Sequence, residues 1–190
     1  MGLDFASHQI FCGNNEPKQF HQQIINSLPQ LLRELGYQIN REMEKDNRVI
    51  VVGPPGRWVG IFDSYAQGSN PLDKEVEQFA QGLSKYGSVV NISVYDSGIL
   101  HFYLYRDGIK DDQYVNAANF FVDMLKKWEP DRVYKEEDFY GNPEKWREFL
   151  SSPDNVTSLQ TTWHEKSSCI ETLKKTAKIV EWDSDLCLIG

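Results

Sequence analysis

The chain of 190 residues carries a formal net charge of -8 and a pI of about 5.0, with 40% hydrophobic and 13% aromatic residues. That apolar content excludes a disordered chain, and the acidic balance argues against nucleic acid and anionic membranes as partners. Cys12, Cys169 and Cys187 are odd in number and far apart. They build neither a disulfide framework nor a metal knuckle, which points to a reducing compartment and makes the cytoplasm the expected location.

The start, MGLDFASHQIF, lacks the basic-then-apolar layout of a signal peptide, and no long apolar run follows it. Residues 1–16 read as polar and irregular, with at most a short strand at Ile10-Phe11. Pro17 then opens a helix carrying Phe20, Ile24, Leu28, Leu31, Leu32 and Leu35, which stops at Gly36. Pro29 predicts a kink, or a restart capped by Ser27. A charged connector, Arg41–Asn47, leads to two strands, Arg48–Val52 and Arg57–Phe62. Gly53-Pro54-Pro55-Gly56 joins them; its prolines forbid strand continuation and remove the amides a phosphate loop must present.

Asn70 followed by Pro71 predicts the start of a second helix with Leu72, Val76, Phe79, Ala80 and Leu83 on one stripe, closed by Gly87. Ser88–Tyr114 organises the rest. Val90, Ile92 and Val94 alternate with Asn91, Ser93 and Tyr95; beyond Asp96-Ser97-Gly98, Leu100, Phe102 and Leu104 alternate with His101, Tyr103 and Tyr105. A three-residue loop ending on Gly98 pairs Val94 with Leu100, Ile92 with Phe102 and Val90 with Leu104, so loop chemistry and apolar pattern agree. A further turn at Arg106-Asp107-Gly108 leads into Ile109–Tyr114, a half-charged stretch with the character of an edge strand. Some registers put Asp112 on the core face.

Helical segments follow at Ala117–Trp128, at Asn142-Pro143 with Trp146, Phe149 and Leu150, and after the capping box Ser168-x-x-Glu171 with Leu173, Ala177 and Val180. Residues 154–163 are ambiguous, and Leu186–Ile189 reads as a last strand. The order predicts an α+β fold: an antiparallel sheet of about five strands in a module over 1–114, with a helical part over 115–190 packed on it as one compact unit.

Val94-Tyr95-Asp96-Ser97-Gly98 resembles the active loop of retroviral-type aspartic proteases, but no apolar-apolar-Gly crossing follows, and the string is also an ordinary hairpin turn. His8, His21, His101 and His164 lack metal-ligand spacing, so no metal and no cofactor is expected. Cys169 at a helix start is a second candidate nucleophile. Tyr95, His101, Tyr103 and Tyr105 make an aromatic face with polar tips, near Asn91 and Ser93; such a face suits binding unless a helix covers it.

Trp58, Leu83-Ser84, Val94-Tyr95-Asp96-Ser97-Gly98-Ile99-Leu100, Leu104-Tyr105-Arg106-Asp107-Gly108 and Asp112-Gln113-Tyr114 follow one another in the order seen in a group of uncharacterised bacterial proteins, which Arg57–Tyr114 resembles. Gly98 stands where that group has Asp. The resemblance implies a shared sheet-and-helix module and no activity. The expected function is therefore that of a non-enzymatic binding protein of immunity or accessory type, with a protein partner and neither nucleic acid nor membrane. The alternatives are a hydrolase using Asp96 or Cys169, and a small-ligand sensor using the Tyr103 face.

Overall fold

The sheet is built around the first strand rather than the hairpins. In the computed structural model, which describes residues 5–39, 48–67, 73–95 and 98–182, six strands pair antiparallel in the order β2-β3-β1-β4-β5-β6. They are β1 Phe5–Phe11, β2 Ile50–Val52, β3 Trp58–Asp63, β4 Val89–Tyr95, β5 Ile99–Arg106 and β6 Ile109–Val115. The α helices among these residues are α1 Pro17–Glu34, α2 Lys74–Leu83, α3 Ala118–Trp128, α4 Asn155–His164 and α5 Cys169–Val180. The class is α+β as expected. The connector Arg41–Asn47, Asn70-Pro71-Leu72, the turn residues Asp96 and Ser97, Cys187 and the tail Leu186–Ile189 lie outside the described residues.

β1 is the correction to the expected count. FASHQIF fails the alternation test because Ser7, His8 and Gln9 sit in its middle, yet all three are buried. A strand with both faces covered need not alternate. Its polar groups find partners nearby: Asn91 Nδ2 donates to His8 Nδ1 at 3.2 Å, and Gln9 Nε2 to Ser7 Oγ at 3.4 Å.

The β4–β5 register is the one the three-residue loop requires: Val94 faces Leu100, Ile92 faces Phe102 and Val90 faces Leu104. The Gly98 N–H donates to the Tyr95 carbonyl at 3.1 Å. The β5–β6 turn has two residues, Asp107 at φ 49° and Gly108 at φ 80°. Both angles are positive, which defines the primed turn that matches strand twist and explains Asp-Gly here. β6 lies at the sheet edge, and Asp112 does face the core side opposite Leu104. Its Oδ2 accepts from Trp146 Nε1 at 2.8 Å and from the Asn142 N–H at 2.9 Å.

One face of the sheet carries Val90, Ile92, Val94, Leu100, Phe102 and Leu104 under Trp146, Phe149, Leu159, Trp163, Leu173, Ala177, Val180 and Trp182. Phe102 is the centre of this aromatic layer, with ring centroids of Tyr114, Trp182, Trp146 and Trp163 between 5.6 and 6.3 Å away. The opposite face is covered by α1 and α2 over Ile10, Val59, Ile61, Val89, Tyr103 and Tyr105. There α3 covers Ile99 and Val115 with Phe121, Val122 and Leu125.

Local signals explain most helix ends. α1 starts at Pro17 and closes with Gly36 N–H to the Arg33 carbonyl and Tyr37 N–H to the Leu32 carbonyl, the paired bonds of a Schellman motif. Pro29 lies inside α1 without ending it, and Ser27 Oγ donates back to the Ile24 carbonyl at 2.8 Å rather than capping a second helix. α2 is capped by Asp73, whose Oδ1 accepts from the Glu75 and Val76 N–H groups at 2.8 and 3.3 Å. Asn142 caps a 3-10 helix, Pro143–Phe149, and Ser168 caps α5. The ambiguous stretch is α4, buried through Val156, Leu159, Thr162 and Trp163.

Candidate functional site

Burial separates the four residues of the predicted aromatic face. His101 is fully buried, with its ring 4.5 Å from that of Phe121 on α3, and Tyr95 packs half-buried beside the same helix. Tyr103 and Tyr105, each 3% exposed, lie in the cluster formed with Phe79, Ala80 and Leu83 of α2. The four therefore form no continuous open surface. The cover comes from α2 as well as from α3, so both halves of the chain supply it.

A gap remains between these two covers. It is a cleft of about 610 Å³, floored by Asn91, Tyr103 and Tyr105. Its walls are the start of α2 with Lys74 and Glu77, the edge strand with Lys110 and Gln113, and the segment after α3 with Glu129, Arg132 and Tyr134. The lining residues include the cations Lys74, Lys110 and Arg132 and the acidic residues Glu77, Glu129 and Asp138. Asp111 and Asp112 line it too, but their carboxylates are held by Arg106 and Lys145 and by Trp146 and Asn142.

The floor is backed by buried histidines. Tyr103 Oη lies 3.0 Å from His101 Nδ1, and Asn91 amide nitrogen donates to His8 Nδ1 at 3.2 Å. Burial lowers the pKa of His8 to about 4, with Asp63 opposing and Arg48 adding to the shift; burial alone lowers that of His101 to about 3. Both rings are neutral near pH 7. Burial also pushes the Tyr103 hydroxyl up, with Glu77 adding to the effect, so it remains a phenol. Neither Nε2 atom, nor Ser93 Oγ, has a hydrogen-bond partner in the described protein.

The two-residue turn aims the cationic wall. It pairs Arg106 with Ile109 and so sets Lys110 opposite Tyr105. The ladder then slips between Tyr105 and Leu104, so that Asp112 rather than Asp111 faces Leu104 on the tryptophan side. Lys110 thereby joins Tyr103 and Tyr105 on the cleft side. Its Nζ stands 5.3 Å from the Tyr103 ring centroid and 3.7 Å from Glu77 Oε1.

The two candidate nucleophiles fare differently. Cys169 is 3% exposed, and burial pushes its thiol up although backbone N–H groups act in the other direction. A thiol held protonated and covered is a poor nucleophile. Asp96 lies outside the described residues. Among the described residues, no group of His, Cys, Asp and Glu is arranged to hold a metal ion, and no helix is long and apolar enough to cross a membrane.

Lys110, Glu77 and the wall after α3 escaped the sequence reading, because nothing local links a residue of α2 to one after the second turn. Asp107-Gly108 was the usable signal: a two-residue turn fixes where Lys110 stands relative to Arg106. No family model, no curated protein and no solved structure matches this chain, so its function rests on its own geometry.

Proposed function

We propose that this chain is a non-enzymatic, cytoplasmic binding protein of immunity or accessory type, whose protein partner engages the cleft over Tyr103. The observation carrying this reading is the cleft itself. A polar floor backed by buried neutral histidines and walls of mixed charge suit a polar protein segment better than an apolar one. The acidic net charge of -8 favours a basic partner, drawn in by long-range attraction. The buried, protonated state of Cys169 supports binding over catalysis. A small-ligand sensor is the second reading, favoured by a cleft volume within the roughly 300–1,000 Å³ usual for ligand pockets.

A photo-crosslinking residue placed at Gln113 in the cleft wall, and separately at Gln22 on the exposed side of α1, tests this in cells of the source. The expected result is a discrete protein adduct at position 113 and none at 22. Identical adducts at both positions, or none at either, would defeat the proposal. A small molecule seen bound by native mass spectrometry, with no adduct, would favour the sensor.

A further inference from the structure

Lys110 crosses the cleft from β6 towards α2 and sets its ammonium over the Tyr103 ring and beside Glu77. An aromatic face with a carboxylate at its edge is a seat for a cation: the ring quadrupole and the negative charge attract the same ligand. Here the chain's own lysine occupies it. The hold is loose, because the Lys110 and Glu77 side chains are each 36% exposed, and ion pairs in contact with water exchange readily.

An anion is the less suited ligand. Two of the three cations of the cleft already lie by a carboxylate: Lys110 by Glu77, and Arg132 by Glu129 at 3.1 Å. Lys74 acts on Glu129 as well, adding to the Tyr134 hydroxyl and Arg132 in holding that carboxyl below its ordinary value. Asp111 is engaged from outside by Arg106 and Lys145. The Asp112 carboxylate, held by Trp146 and the Asn142 N–H, turns to the tryptophan face and adds nothing to the seat at Tyr103.

Resting on the reading of the cleft as a protein-binding site, we infer that its ligand is an arginine or lysine side chain of a basic partner, which displaces the Lys110 ammonium from Tyr103 and Glu77. Lys110 is then an internal stand-in for that side chain. It keeps the aromatic floor covered in the free protein and competes with the partner. Arginine fits best, since its planar guanidinium can stack on the tyrosine while reaching the carboxylate with paired N–H donors.

The test uses the full chain and a fluorescent hexa-arginine peptide as probe, at 150 mM salt. Removing the competitor with Lys110→Ala should tighten binding roughly 3- to 10-fold, the range expected of one cation–π and ion-pair contact. Glu77→Gln should weaken binding by a similar factor. Lys175→Ala removes the same charge on α5, where Lys175 pairs with Glu165 and Glu171. It should leave affinity nearly unchanged. Equal tightening by Lys110→Ala and Lys175→Ala would show a response to net charge alone and overturn the inference. A protein crosslinked at position 113 whose capture ignores both Lys110→Ala and Glu77→Gln would also overturn it, while leaving the binding reading standing. Tightened peptide binding with no crosslinked protein would uphold the cation seat and remove the protein partner.

Discussion

Arg48 offers the sharpest test of how this fold is held at the β2–β3 edge. Its side chain is 5% exposed and pairs with Asp63, which is 0% exposed, through Nε at 2.8 Å and through Nη2. The guanidinium lies between 4.8 and 5.0 Å from the ring centroids of Tyr37, Tyr65 and Phe79, and Nη1 reaches Glu75 on α2. Replacing Arg48 by Met keeps most of the volume but strands the Asp63 carboxylate in a dry site. Breaking a buried pair from one side costs about 3–5 kcal/mol. At about 2–4 °C per kcal/mol for a chain of this size, the melting temperature should fall by roughly 6–20 °C. Glu75 is 28% exposed and can be reached by water. Glu75→Gln should therefore cost no more than about 1 kcal/mol. Combining Arg48→Met with Asp63→Leu should recover part of the single-mutant loss, because an apolar pair removes the stranded charge. Urea unfolding followed by tryptophan fluorescence reads these three variants, the Asp63→Leu single mutant and the parent. A loss below about 1 kcal/mol for Arg48→Met, or a double mutant as damaged as the two singles added together, would refute the reasoning.

The remaining expectations test the sheet face and its floor. His8 and His101 have folded pKa values near 4 and 3, below the ordinary 6.5, so the unfolded chain binds more protons between these limits. Their contribution to stability is complete above about pH 6.5 and is lost as pH falls towards 4 and 3; denaturation midpoints that stay flat from pH 6.5 to 4 would contradict this. Tyr103→Ala should cost about 3–5 kcal/mol as a core truncation, whereas Tyr103→Phe, which removes only the group facing His101, should cost about 1–3 kcal/mol. Equal losses for the two would show that the hydroxyl dominates. At Gly87 an added Cβ would stand 2.6 Å from the Phe11 carbonyl oxygen, so Gly87→Ala should lower stability by on the order of 1–3 kcal/mol, and an unchanged midpoint would disprove that close approach. Iodoacetamide at neutral pH should label Cys169 only after unfolding; rapid labelling of the native protein would reopen a nucleophilic role.

Where sequence and structure agree, the signal is local. The apolar alternation on either side of the 96–98 loop allowed one register, and the strands adopt it, because a one-residue slip would carry every Val, Leu and Phe to the other face. Pro17, Asn142 and Ser168 mark helix starts because capping is settled within one turn of chain. Non-local burial decided the rest. β1 read as irregular because its buried Ser7, His8 and Gln9 look like surface until β3 and β4 flank them. Tyr95, His101, Tyr103 and Tyr105 alternate outward from the tryptophan layer as expected, but alternation says only that they share a face. Whether that face meets water depends on α2 and α3, which arrive from opposite sides of β4 and β5 in the chain and leave a cleft where they do not meet. The seat at Tyr103 needs Glu77 from one element and Lys110 from another. A pairing of that kind is fixed by packing energy summed over the whole fold, and no stretch of the sequence carries it alone.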